Sequence, residues 1–352
     1  MKTKIFVCTH KPFDPPKDSM YIPLHVGHKG KKDLGYIGDD TGIEISEKNP
    51  YYSELTGLYW AAHNCCDADI KGICHYRRYL INENGKVYSS KEIENILSEY
   101  DLMTTKTLEL RSAYYDGFGA DHNLKDLVLA GEILKVKYPD YYEIYQNLVH
   151  QNKTYFGNMI ICRSELFDSY VDWLFSIFFE MEPQMDFTGY DDYRKRVFGF
   201  ISEFLLKVYC IVNQLKVHES MVGMVGEKKE TLEVKTRLEH FIMEKKLSQA
   251  KDYFYQVVKK RPDILMEASD INGELKLAMQ IISSCEHEYE LYQESILDHI
   301  GTYKELKEYF DMVNKITVAK RLGMLSESEN TWLLKHPVSE VAKEISEMLF
   351  CS

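Results

Sequence analysis

Gly72-Ile73-Cys74-His75-Tyr76-Arg77-Arg78-Tyr79 is a short apolar run that passes directly into a histidine, two arginines and two tyrosines. The apolar half reads as a β-strand over residues 70–75, and the polar half as what that strand delivers at its end. Strand ends are where α/β proteins meet ligands, and two adjacent guanidiniums between aromatic rings suit a planar, multiply charged anion such as a nucleotide diphosphate. Taken alone, the block also reads as an edge strand with a solvated basic end. The segments around it decide between the two.

Working outward, β-rich runs over 4–8, 21–26, 101–104 and 159–162 alternate with helical patterns over 52–63 and 91–99, the order of a three-layer α/β domain. The first strand ends in Cys8-Thr9-His10-Lys11-Pro12, which puts Thr9 and His10 in the crevice where such sheets bind nucleotides, or in a turn closed by the proline. A glycine-bracketed loop, Gly38-Asp39-Asp40-Thr41-Gly42, offers paired carboxylates for a divalent metal or a general base, and reads equally as an Asx-turn. Glu54, at the start of the helix that follows, is placed to orient Arg77 or Arg78. After Gly226-Glu227-Lys228-Lys229-Glu230 the strands stop and helical periodicity takes over, giving an α/β domain over 1–226 and an all-helical extension over 227–352. The helical pairs recur loosely, in the manner of tetratricopeptide hairpins or of a plain bundle.

Composition narrows the classes. A chain of 352 residues can bury a full core, and its formal net charge of -12 argues against nucleic-acid binding through a basic surface. Eight cysteines without a CxxC pair indicate neither a zinc site nor a disulfide framework. With no signal-like start and no membrane-length apolar run, the expected place is the cytoplasm.

Several further segments carry candidate chemistry. His122 and Asp126 stand four apart and would share a face on one helix, as an oriented base or as a helix-start cap. Asn158 opens the strand at 159–162 and would face the crevice, where it could bind sugar hydroxyls. Glu203 lies in an otherwise apolar helix after Arg194 and Arg196, so burying it calls for an arginine partner. The aromatic run at Trp173, Phe175 and Phe178 reads as core.

The ordered set Ile5-Phe6-Val7-Cys8-Thr9-His10-Lys11, Tyr21-Ile22-Pro23-Leu24-His25-Val26-Gly27, Asp39-Asp40-Thr41-Gly42, Asn49 with Tyr52 and Glu54, His75-Tyr76-Arg77-Arg78, Tyr100-Asp101, His122 with Asp126, and Asn158-Met159-Ile160-Ile161 resembles one family. The match runs on through Tyr170-Val171-Asp172-Trp173 and Tyr193-Arg194-Lys195-Arg196-Val197-Phe198-Gly199 to Glu203. The family is that of bacterial capsular and exopolysaccharide glycosyltransferases long labelled only as a domain of unknown function. The resemblance implies a GT-A-like nucleotide-sugar fold and an inverting transfer of a hexose from a UDP-sugar to a capsular, exopolysaccharide or O-antigen glycan. Some members are similar to galactofuranosyltransferases that use UDP-galactofuranose. Ile43-Glu44 and Ala61-Ala62-His63 depart from the family pattern beside the presumed site.

On that footing Thr9, His10, His75, Tyr76, Arg77 and Arg78 are expected to bind the donor and its diphosphate. Asn158, Glu203 and Arg194 are expected to bind sugar, and the base is sought among Asp39, Asp40, His122 and Asp126. With arginines where GT-A enzymes ordinarily carry an Asp-X-Asp motif, no cofactor is expected. The competing arrangement holds Mg²⁺ or Mn²⁺ at Asp39 and Asp40 or at Asp191 and Asp192. The expected partners are a UDP-sugar and a lipid-linked or oligosaccharide acceptor, with peripheral association at the inner membrane face and homo-oligomerisation left open. The alternative from another class is a non-catalytic carbohydrate-binding module, which needs no diphosphate clamp.

Overall fold

The computed structural model describes residues 1–226, 229–265 and 269–350, which fall into two compact units, Met1–Val225 and Gly226–Ser352. Glu227 and Lys228, where the change of character was read, lie outside the described residues.

The first unit is built on strands β1 (Thr3–Thr9), β2 (Tyr21–His25), β3 (Ile37–Gly38), β4 (Ile70–His75), β5 (Arg78–Ile81), β6 (Leu102–Thr105), β7 (Leu108–Glu109), β8 (Lys153–Thr154), β9 (Ile160–Arg163) and β10 (Val217–Met224). All except β7 and β8 join in one mixed sheet of order β3-β2-β1-β4-β5-β10-β6-β9, and β9 also pairs back on β4. β1 runs parallel to both β2 and β4, whereas β9 is antiparallel to β4. The period of two along β1 sorts its side chains: Phe6 and Cys8 enter the core on one face, Ile5 and Val7 that on the other.

The first face is covered by α1 (Asn49–Tyr52), α2 (Leu55–Asn64), α4 (Tyr114–Asp121), α5 (Leu124–Lys137), α6 (Pro139–Val149), α7 (Ser164–Met181) and α8 (Val197–Val212), and the second by α3 (Ser90–Ile96) through Ile93. α7 buries Phe167, Tyr170, Val171, Leu174, Phe175 and Phe178 at helical spacing, so the aromatic run is core. Phe198 of α8 stacks on Tyr52 with ring centroids 4.3 Å apart, and burying a ring of that size contributes about 2–3 kcal/mol.

The helical pattern over 52–63 is interrupted. α1 ends at Tyr52, and Ser53, at φ 52°, breaks the chain before α2 begins at Leu55. Ser53 N–H still donates to the Asn49 carbonyl at 2.7 Å, and the Asn49 amide donates to the Ser53 carbonyl at 2.7 Å, so a local bracket holds the strained residue.

The second unit is helical throughout its described residues: α9 (Lys229–Met243), α10 (Leu247–Lys260), α11 (Glu274–Tyr292), α12 (Tyr303–Arg321), α13 (Glu327–Lys335) and α14 (Glu340–Phe350). Capping boxes at Thr302 with Glu305 and at Ser326 with Glu329 start α12 and α13. Leu238, Ile242, Ile281, Phe310 and Val313 form its core. Among the described residues, no helix is long and apolar enough to cross a membrane.

Candidate functional site

β1 is the point where the sheet changes direction. From it the chain steps to β2 and β3 on one side, then returns through α2 to β4 on the other. Ligands of α/β sheets bind outside the carboxyl ends of the strands at such a switch. The ends gathered there are Thr9 of β1 with His10 just beyond it, His25 of β2 and His75 of β4, with Thr9 opposite His25 and Cys8 opposite His75.

The opening block is a strand, a tight turn and a second strand. His75 pairs with Arg78 across Tyr76 and Arg77, so Arg78 begins β5. His10 is exposed, and its ring meets Tyr76 edge-on at 5.5 Å, while Phe13 lies 5.9 Å from Tyr76 and 5.8 Å from Tyr36. Thr9 turns inward: its hydroxyl donates to the Lys11 carbonyl at 2.6 Å and closes the turn.

Behind the block sits a cluster that sequence spacing conceals. β4 and β9 pair from Ile70 with Arg163 to Ile73 with Ile160, and the same register continued would set His75 against Asn158. Instead Gly157 and Asn158 adopt φ values of 86° and 49°, and β9's approach is turned away from the end of β4. Three elements hold this left-handed dipeptide. His75 Nε2 lies 2.6 Å from the Gly157 carbonyl, which can only accept, so that nitrogen carries the proton. Gly157 N–H donates to Glu203 Oε1 at 2.6 Å. The Asn158 amide donates to Glu54 Oε1 at 2.8 Å and to the Gly199 carbonyl at 2.9 Å, and the Ser202 hydroxyl donates to its oxygen at 2.6 Å. Arg78 lies over the Phe156 ring at 5.1 Å, and Arg196 donates through Nε to the Ser53 hydroxyl at 2.8 Å.

The electrostatics separate two carboxyls. Burial would raise Glu54, but the His75 ring, the Arg196 guanidinium and the Asn158 amide outweigh it and hold Glu54 below the usual carboxylate value. Burial pushes Glu203 up to about 8, helped by the Glu54 charge, and the Gly157 N–H, Arg78 and Arg196 recover only part of it. At neutral pH one member of the pair is charged and the other carries a proton. Burial lowers both His75 and Arg78, against the pull of these carboxyls. Glu54, His75, Arg77, Arg78 and Glu203 all remain partly exposed at the carboxyl end of β4.

The other sequence-derived candidates take different places. Asp39 is fully buried, and its two oxygens accept from Gly27 N–H at 2.9 Å, His28 N–H at 3.1 Å, the Ser46 hydroxyl at 2.5 Å and the Thr56 hydroxyl at 2.6 Å, which makes it the anchor of its loop. Asp40 is half-buried and bonds His28 Nδ1 at 2.8 Å, with the His25 ring 4.7 Å from that of His28. The expectation that His122 and Asp126 share a helical face is corrected: His122 ends α4 in extended conformation and Asn123 caps α5, so the chain breaks between them. His122 is wedged 4.2 Å from Phe200, 4.8 Å from Phe118 and 5.1 Å from Tyr193, and burial followed by the Arg194 charge lowers it to about 4. Asp126 accepts from the Tyr190 hydroxyl at 2.7 Å. Arg194 pairs with Asp191 at 2.7 Å, and Lys195 lies 3.8 Å from Asp192.

Two expected pairings are also corrected. The bonded partner of Glu203 is the Gly157 backbone, with the arginines acting from farther off, because β5 and the start of α8 set their guanidiniums elsewhere. Glu54 bonds Asn158 rather than either arginine of the block. Asn158 is itself 7% exposed, with its amide committed to Glu54, Gly199 and Ser202, so it holds the crevice wall. Gly157 was not singled out by sequence, and Arg196 was read only as a basic neighbour of Glu203, not as a partner of Ser53. Their roles arise from long-range contacts that no local pattern records. Among the described residues, no group of three or more His, Cys, Asp or Glu is gathered that could hold a metal.

Comparison with known proteins bears on this arrangement. Residues 4–214 match the model of a family described as a domain of unknown function (DUF4422). Among solved structures the chain is similar to the apo structure of the WbbM bifunctional glycosyltransferase, with a TM-score of 0.58 and 30% identity over 64% of this chain. The match spans 46% of that protein. No curated protein matches.

Proposed function

We propose that this chain, which belongs to the DUF4422 family, is a glycosyltransferase that moves a hexose from a UDP-sugar to a growing glycan. The observation that carries the reading is the likeness, at 30% identity, to a glycosyltransferase structure. The crevice at the switch point gives it chemical content. Arg77 and Arg78, on a rigid hairpin, face the charge that builds on the departing diphosphate, and one such preorganised donor is worth about 2.7–4 kcal/mol of barrier. His10 and Tyr76, ring against ring at the end of β1, flank the nucleoside. Arg194, which pairs with Asp191, is the proposed contact to sugar hydroxyls.

Fixed cations take the part that a metal has in other GT-A-like enzymes. In each carboxylate pair that could have served, one member is engaged: Asp39 by four donors and Asp191 by Arg194. The proposed donor is UDP-galactofuranose, the acceptor a lipid-linked or oligosaccharide glycan of a capsular, exopolysaccharide or O-antigen type, and the transfer inverting. The working place is the cytoplasmic side, at the periphery of membrane-bound assembly machinery.

The test is a thermal-shift screen of the full chain against UDP-galactofuranose, UDP-galactose, UDP-glucose and UDP-N-acetylglucosamine. A bound donor at 100 times its Kd stabilises the native state by about 2.7 kcal/mol, so its melting temperature rises. No shift with any uridine nucleotide overturns the reading. A shift with a free oligosaccharide and none with any uridine nucleotide points to a carbohydrate-binding module.

A further inference from the structure

We propose that Glu54 is the general base of this site, taking the proton of the acceptor hydroxyl, and that the strained turns at Ser53 and at Gly157-Asn158 exist to aim it. The inference rests on the transferase reading. Its geometry is independent of that reading.

Two of the non-glycine residues with positive φ converge on this one side chain: Ser53, at 52°, precedes Glu54, and Asn158, at 49°, bonds it. Serine and asparagine pay for such conformations, and that strain persists where surrounding structure imposes it, most often at functional sites. The imposing contacts are Asn49 and Arg196 at Ser53, and His75, Glu203, Gly199 and Ser202 at Gly157-Asn158. A Cβ on Gly199 would come within 3.9 Å of Glu54 Oε1 and 4.0 Å of the Asn158 amide, so α8 approaches the carboxylate closely at this point.

Among the described residues, a neighbour fixes only Oε1 of Glu54. Oε2 takes no hydrogen bond from any other described residue, and the side chain is partly exposed. That leaves Oε2 without a donor from a neighbouring residue, in a site whose charge Arg78 also feels. The charged and titratable groups that face Glu54 are His75 from β4, Arg78 from β5, Arg196 and Glu203 from α8 and its approach, and Cys8 from β1, whose thiol donates to the Glu54 carbonyl at 3.8 Å. Their sum keeps Glu54 ionised while Glu203 holds its proton, and environments that drive two carboxyls apart mark out the acid and base roles.

The step balances without an added reactant. The acceptor O–H proton passes to Glu54 Oε2 as the acceptor oxygen bonds the anomeric carbon. The bond from the anomeric carbon to the diphosphate breaks, and its electron pair leaves on the diphosphate, facing Arg77 and Arg78. Solvent then recovers the proton from Glu54.

Glu54→Gln separates a base from a structural strut, because its amide oxygen can still accept from Asn158 while the basic oxygen is gone. Calorimetry with UDP and turnover of the UDP-sugar chosen by the thermal-shift screen are measured on the full chain. The expected result is UDP affinity within about threefold of the parent with kcat down by about 10²–10⁴-fold, and loss of the acid limb of the kcat profile. Glu54→Asp, shorter by one methylene, is expected to keep that acid limb and lose about 10–100-fold in kcat, and it serves as the test if the glutamine variant does not fold. Turnover by Glu54→Gln within tenfold of the parent, or parallel loss of UDP binding and turnover, overturns the assignment, as does an unchanged kcat in Glu54→Asp. A parent chain that binds no uridine nucleotide overturns the transferase reading itself, and the base with it.

Discussion

In the helical unit Gln280 and Asn314 exchange amide hydrogen bonds at 2.7 and 2.8 Å, and the Ser346 hydroxyl donates to the same Asn314 oxygen at 2.7 Å, all of them buried. At the end of β4, the polar groups meet differently. Glu54, His75, Arg78 and Glu203 stay partly exposed, are held through a left-handed backbone, and include a carboxyl pushed up to about 8. A polar layer that closes on itself fixes how helices pack and leaves nothing to offer a ligand. A cluster held from behind by backbone, with its heads at a crevice, keeps charge available. The two units therefore answer differently to substitution, and the contrast can be broken at named residues.

The largest effect is expected at Arg78. Arg78→Ala removes one fixed cation from the leaving group, and turnover of the UDP-sugar falls by about 10²–10³-fold with weaker UDP binding and an unchanged circular dichroism spectrum. Kinetics like the parent's would return the hairpin to a solvated basic end. Asp39→Ala comes next, and acts on stability. It strands two backbone N–H groups and two hydroxyls, and denaturant titration should show the first unit weakened by about 3 kcal/mol or more. A loss under about 1 kcal/mol would mean that the loop relaxes without its anchor.

Asn314→Ala tests the other side of the comparison. Leaving Gln280 and Ser346 without their partner should cost about 1–3 kcal/mol in the second unit, with UDP affinity unchanged. Altered UDP affinity would show that the helical layer is coupled to the crevice. The last test is a pH dependence. His122 titrates near 4 when folded against an ordinary value of 6.5, so between those values the unfolded chain binds the proton and the folded one does not. The stability present above pH 6.5 is lost progressively as pH falls through that window. His122→Phe should flatten this part of the melting curve against pH, and an equally steep fall in the variant would place the acid sensitivity elsewhere.

The strand at Ile70–His75 was legible to the residue, because an apolar run bounded by polar residues is a local signal. So was the aromatic core stripe of α7. The hairpin was hidden: nothing in Tyr76-Arg77 carries the glycine or asparagine that usually marks a two-residue turn, so Arg78 read as strand end rather than strand start. The break at Ser53 was hidden for a related reason, since the apolar positions on either side keep helical spacing across it. Spacing also misled at His122 and Asp126, where i and i+4 imply a shared face only on one uninterrupted helix. The innermost part of the site was the least legible. Glu54 and Asn158 lie 104 residues apart, and only the sheet register and the left-handed turn bring them together.

Calorimetric titration of UDP into the full chain in the presence of EDTA tests the central claim most directly. The account predicts saturable one-to-one binding without a divalent metal, weakened when Arg78 is replaced by alanine. Absence of binding heat from the parent chain, with EDTA or with added Mn²⁺, would contradict it.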